Sequence, residues 1–183
     1  MNIRPTPIAG LMIVATEAHV DQRGSFTRLH CQKELEVIIG SRQIVQINHS
    51  ISSKVGSVRG MHYQVGPQAE MKLVRCLQGK VWDVAVDLRS ESSSFLQWHA
   101  QEISRDNALM MVIPEGCAHG FQVLEPDSEL LYLHTTFYDA DAEAGICPVD
   151  PELSINWPLP PQALSARDRN HPPLHPDYAG LVL

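Results

Sequence analysis

Between Arg42 and Phe137 the chain is cut into short apolar or alternating runs with no long helical pattern between them: Gln43 to Ile51, Ser57 to Gln64, Met71 to Leu77, Lys80 to Leu88, Phe95 to Ile103, Leu109 to Ile113, Gly120 to Leu124 and Leu130 to Phe137. Most are separated by Gly, Pro, Asn, Asp or Ser, which turn a chain rather than extend it. Strands this short, without long helices between them, favour an antiparallel sandwich or barrel over a parallel α/β sheet. The expected fold is all-β, a jelly-roll antiparallel β-barrel with a few short peripheral helices. Upstream, Leu11 to Thr16 and Ser25 to His30 read as strands, the second fed by the turn Asp21-Gln-Arg-Gly24. Cys31 to Ile39 reads as a helix, with Leu35, Ile38 and Ile39 on one face and Gly40 to end it. From about residue 148 prolines accumulate, from Pro148 to Pro176, so this tail is expected to wrap the barrel in extended segments and turns, its last residues disordered.

At 183 residues the chain is expected to form a single domain, 1–183, burying roughly 70% of its unfolded surface. The net charge of −7 argues against a non-specific nucleic-acid binder, so any bound anion must meet a local positive patch. No stretch approaches the ~20 apolar residues of a membrane span and the N-terminus lacks a signal-peptide pattern. No membrane partner and a cytoplasmic location are expected. Cys31, Cys76, Cys117 and Cys147 are dispersed, without a Cys-x-x-Cys pair, which reads as free thiols.

The chemistry concentrates in Gly56 to Lys72, where Arg59, His62 and Lys72 bring three basic groups into one local unit. Period-2 alternation puts Val58, Gly60, His62 and Gln64 on one strand face and Arg59, Met61 and Tyr63 on the other. The Gly66-Pro67 turn is expected to return Lys72 beside His62 across a hairpin. His62 on one strand and Pro114-Glu-Gly-Cys-Ala-His119 on another suggest a cupin. A metal cupin would carry a second His where this chain has Gln64, and Glu70 is differently spaced, so a metal-free pocket without cofactor is expected. Taken alone, Lys72 would be a surface lysine, Tyr132 a half-buried core aromatic, Asp168 and Arg23 turn residues.

Taken together, the motifs resemble the dTDP-4-dehydrorhamnose 3,5-epimerase family, metal-free cupins that act on nucleotide-linked 4-keto sugars. The blocks that carry the resemblance are Asp21-Gln-Arg-Gly-Ser-Phe26, Val45-Gln-Ile-Asn-His-Ser50, Val58-Arg-Gly-Met-His-Tyr-Gln64, Lys72-Leu-Val, Val81 to Arg89, Ile113 to Phe121, Leu131-Tyr132, Thr135 to Tyr138, Asp150 to Pro158 and Leu164 to Asp168. They run in order along nearly the whole chain. The resemblance implies a cofactor-independent isomerase of a nucleotide-diphosphate 4-keto-6-deoxy sugar, acting at C3, C5 or both. His62 would be the base, Asp168 its orienting partner, Lys72 the cation at the C4 oxygen, Tyr132 the opposing acid and His119 a polar neighbour of the sugar. Arg23 and Arg59 would hold the diphosphate, Gln46 and Asn48 the nucleotide, and Phe26 and Tyr138 would sandwich the base. It also implies a homodimer with exchanged N-terminal strands, each site completed by both chains.

Three departures are visible. Arg28 stands where relatives acting on thymidine nucleotides carry an acidic residue, Leu133-His134 follows Tyr132 where a lysine is usual, and Cys147-Pro-Val precedes Asp150. These leave the base and the sugar open. The rivals are a single-centre epimerase or ketoisomerase on another nucleotide sugar, a non-catalytic sugar-binding cupin, and a metal-dependent oxygenase or isomerase using His62 and His119.

Overall fold

The computed structural model describes residues 1–175 and 177–183; Pro176 lies outside the described residues. The strands are β1 (Asn2–Pro5), β2 (Met12–Ala15), β3 (Ala18–Asp21), β4 (Gly24–Thr27), β5 (Gln46–Ser52), β6 (Val58–Gln64), β7 (Lys72–Gln78), β8 (Lys80–Asp87), β9 (Trp98–Ser104), β10 (Leu109–Ile113), β11 (Cys117–Val123), β12 (Ser128–His134) and β13 (Glu143–Gly145). Among the described residues they are joined by two α-helices, α1 (Gln32–Ile39) and α2 (Ala166–Asn170), and a 3-10 turn at Gly66–Gln68. One antiparallel sheet runs β1-β2-β10-β7-β12-β5 and a second runs β13-β6-β11-β8-β9, while β3 and β4 pair only with each other. The chain is mostly β with peripheral helices, as its run-and-turn pattern requires, and alternates between the sheets as a jelly roll does.

The two sheets face each other across an apolar core that includes Val74, Cys76, Val81, Ala85, Met111, Ile113, Phe121 and Leu130. Each outer face is also covered in part. Helix α1 lays Leu35 and Ile39 on Val14, Leu73, Met110, Val112 and Leu133 of the six-stranded sheet. The tail lays Leu153, Ile155, Trp157, Leu174 and Leu181 on Met61, Tyr63, Val84 and Val86 of the other. This explains why β10 reads as an unbroken Leu-Met-Met-Val-Ile: buried on both faces, it has no polar side to show. Burial of each such side chain contributes roughly 1.5–3 kcal/mol.

Three expectations are corrected. Strands β6 and β7 do not form a hairpin: β6 pairs with β11 and β13, and β7 with β10 and β12, so the Gly66–Gln68 turn carries the chain from one sheet to the other. Lys72 therefore faces His62 across the space between sheets. The strict alternation of β6 fails as well. His119 of β11 is opposite His62, yet Phe121 is opposite Arg59, so β6 takes three steps where β11 takes two. Such a bulge reverses side-chain parity, and Arg59 lines the same cavity as His62. Gly60 is at this irregularity with φ +127°, and a Cβ there would lie 2.5 Å from Gly120 Cα and 2.8 Å from His119 O. Finally, the last residues are held, with Leu181 N donating to Leu88 O at 2.6 Å and Ser90 N to Leu181 O at 3.0 Å.

Candidate active site

A cavity of about 280 Å³ opens between the sheets, lined among others by Asn48, Arg59, His62, Lys72, His119, Tyr132 and Tyr138. His62 and His119 come from the five-stranded sheet, and Asn48, Lys72 and Tyr132 from the six-stranded one. The cavity thus has two chemically distinct walls.

On the first wall His62 Nε2 lies 2.7 Å from Asp168 Oδ1. Asp168 arrives from the tail on α2, whose first turn is capped by Ser165 Oγ accepting from Asp168 N at 3.0 Å. Burial raises the Asp168 carboxyl, but the hydrogen bond and charge of His62 outweigh it, so the group titrates below its ordinary value. The other ring nitrogen, Nδ1, lies 3.2 Å from the Arg167 guanidinium, which also pairs with Glu143 at 2.7 Å. Glu143 in turn accepts from the Tyr138 hydroxyl at 2.9 Å. Deeper in the same wall, His119 Nε2 meets the fully buried Asp83 Oδ1 at 2.7 Å.

On the second wall burial pushes the Tyr132 phenol far above the usual tyrosine range, so its proton is firmly held. Its ring meets His119 edge-on at 6.1 Å between centroids. Lys72, 7% exposed, pairs with Glu70 at 2.9 Å. At the mouth, Arg59 donates to Ser52 Oγ at 3.2 Å. Gln46 is just outside the lining, donating to Asn48 Oδ1 at 3.3 Å and accepting from Tyr138 N at 3.2 Å.

Arg23 and Phe26 are not brought to this cavity within the chain. Both belong to the β3–β4 hairpin region, where Arg23 pairs with Asp21 at 2.6 Å and Phe26 is 70% exposed. Arg28 shares a hollow with Phe26 and pairs with Glu34 of α1.

Several groups went unread in the sequence. Asp83 interrupts an apolar strand, and a carboxylate inside a buried strand demands a partner. Ser165-Ala-Arg-Asp168 has the spacing of a helix N-cap, which would have placed Asp168 on a first turn. Glu143 and Arg167 carried no such sign. Among the described residues one cluster has ligand atoms close enough for a cation: those of His62, Asp168 and His171 lie within 4.8 Å of one another. The Arg167 guanidinium is 3.0 Å from His62 Nε2, and its fixed positive charge opposes a metal ion there.

A jelly roll whose inter-sheet cavity carries a histidine–carboxylate pair on one wall and a lysine and a tyrosine on the other defines a cupin equipped for acid–base chemistry. Comparison with known proteins narrows this. The model of the dTDP-4-dehydrorhamnose 3,5-epimerase family matches residues 5–176. The chain is 42% identical over 171 residues to the dTDP-4-dehydrorhamnose 3,5-epimerase of Shigella flexneri, covering 93% of this chain and 94% of that one. The crystal structure of the Bacillus anthracis enzyme with TDP and PPi bound superimposes with a TM-score of 0.91 at 36% identity, covering 94% and 99%. That of a dTDP-6-deoxy-D-glucose-3,5-epimerase from Legionella pneumophila in complex with dTDP-4-keto-L-rhamnose gives a TM-score of 0.86 at 40% identity, covering 91% and 89%. The chain belongs to the dTDP-4-dehydrorhamnose 3,5-epimerase family, a family of isomerases.

Proposed function

We propose that this protein epimerises a dTDP-linked 4-keto-6-deoxy sugar at C3, C5 or both, by removing a proton from one ring face and returning one to the other. The observation that carries this reading is the 2.7 Å His62–Asp168 pair on one wall of a cavity whose opposite wall bears Lys72 and Tyr132. Inversion needs donor and acceptor on opposite sides of the carbon, and the two sheets supply them.

Asp168 holds His62 in the tautomer with hydrogen on Nε2, which leaves Nδ1 as the base. Arg167 must release Nδ1 for the sugar to approach. Taking a hydrogen from the carbon next to the ketone places negative charge on the C4 oxygen. Lys72 stabilises that enolate, an effect worth several kcal/mol in a site closed to water. Tyr132, kept protonated by its burial, returns a proton from the far side. Arg59 takes the diphosphate and Tyr138 stacks on the base, while Arg23 and Phe26 reach the site from a partner chain. The working form is then a homodimer of single cupin-type domains in the cytoplasm. Among the described residues no helix is long and apolar enough to cross a membrane.

The test is incubation with dTDP-4-keto-6-deoxyglucose in D₂O. Deuterium entering C3, C5 or both is expected, the number of positions deciding between one and two centres, and exchange at neither overturns the proposal. His62→Ala should abolish exchange while leaving dTDP affinity within about threefold, because it removes a group made for the transition state rather than for binding. Competition among thymidine, uridine, cytidine and guanosine diphosphates reads what Arg28 does to base choice.

A further inference from the structure

Lys72 shares its carboxylate. The register of β12 sets His134 opposite Lys72 on β7 and Gln46 on β5. Glu70 lies between Lys72 and His134, with Oε1 2.9 Å from Lys72 Nζ and Oε2 2.6 Å from His134 Nδ1. All three side chains are largely buried and line the cavity. On its other side His134 Nε2 lies 3.3 Å from Asn48 Nδ2. Because that amide is a donor, Nε2 accepts and the hydrogen is on Nδ1, pointing at Glu70.

A carboxylate beside Lys72 works against an enolate. Unshared, it would cancel much of the positive potential that the ammonium offers, since two opposite charges in contact look nearly neutral from a few ångströms away. His134 occupies one of the two carboxylate oxygens and spreads the charge away from Lys72. The stacked neighbour Tyr132, at 6.1 Å and 15°, offers no equivalent donor to Glu70.

We propose that His134 is a positioning residue for the epimerisation, dividing the Glu70 carboxylate with Lys72 so that the ammonium keeps its charge and direction toward the keto oxygen of the substrate. This rests on the assignment of Lys72 to that oxygen.

The test compares wild type, His134→Leu, His134→Asn and the double variant Glu70→Gln/His134→Leu, by steady-state kinetics on the dTDP-linked 4-keto sugar. His134→Leu should lower kcat about tenfold with KM within about threefold, because the loss falls on charge developed in the transition state. His134→Asn, whose amide replaces the Nδ1 donor, should recover most of kcat. The double variant should also be faster than His134→Leu, since the carboxylate left wholly to Lys72 is gone. A packing role predicts no such rescue. Wild-type kcat in His134→Leu, or a double variant slower than the single one, overturns the proposal. A wild-type protein that catalyses no exchange refutes the enzymatic reading instead. Crystal structures of wild type and His134→Leu then read the geometry without turnover: Glu70 should swing both oxygens toward Lys72, and an unmoved Glu70 overturns the proposal.

Discussion

Asp168 is 3% exposed and nonetheless ionises more readily than a carboxylate in water, because the His62 ring donates to it and adds its charge, with smaller help from the Ser165 side chain and the Gly60 backbone. Desolvation pulls the other way, so the balance depends on the imidazole. The consequence for stability has a definite sign. A carboxyl whose folded value is depressed adds stability that is present above its unfolded value, about 3.9, and is lost as the pH falls through the folded value. Asp168→Asn should therefore be less stable than wild type at neutral pH, with the gap in urea midpoint closing below about pH 4. A gap that stayed constant on acidification would mean the carboxylate contributes nothing through its charge. Activity should fall in the same variant at every pH, since an amide cannot stabilise the imidazolium.

Strands β6 and β11 show how an element can be read correctly and still mislead. The run Ser57 to Gln64 announces a strand within a residue of the observed Val58–Gln64, as do Met71 to Leu77, Lys80 to Leu88 and Leu109 to Ile113, while the other four runs between Arg42 and Phe137 each miss one end of their strand by three residues. Alternation then put Arg59 and His62 on opposite faces, and one extra residue in the pairing with β11 reversed that. No propensity encodes a bulge; it follows from the partner strand, where Gly120 comes close enough to Gly60 to leave no room for a side chain. The same limit hid the placement of Lys72, because a turn with Gly and Pro looks alike whether it closes a hairpin or carries the chain to another sheet. The strands β1, β3 and β13 were too short and polar to stand out, and α2 is a five-residue helix inside a proline-rich tail. Gly60→Ala tests the element directly. Its Cβ would strike the backbone of β11, so the substitution should cost more than about 1 kcal/mol in chemical denaturation and lower nucleotide affinity as Arg59 shifts. A variant as stable as wild type would show that β6 and β11 can part without cost.

At the scale of the molecule one chain lines the cavity, and Arg23 and Phe26, two of the expected nucleotide contacts, lie in a separate hollow. The β3–β4 hairpin is separate from both large sheets and leaves Val20 75% and Phe26 70% exposed. Strand β5 is an edge of the six-stranded sheet and shows Ile47 and Ile51 to solvent, 61% and 56% exposed. An open edge strand with apolar side chains invites pairing with another chain, and a two-fold dimer would cover both edges at once. If the hairpin of one chain delivers Arg23 and Phe26 to the cavity of the other, each site mixes residues of two chains and mutational defects become separable. Arg23→Ala spoils the arm and His62→Ala the cavity, so each homodimer should be weak or inactive. In a mixed dimer, the site combining His62 of one chain with Arg23 of the other is intact. Unfolding and refolding the two variants together should restore activity to about a quarter of the wild-type level, because half of randomly paired dimers are mixed and each has one intact site. Sedimentation on the same samples reads the assembly. Sites confined to one chain would give no recovery at any mixing ratio, and a monomeric protein would leave the hairpin without a cavity to serve.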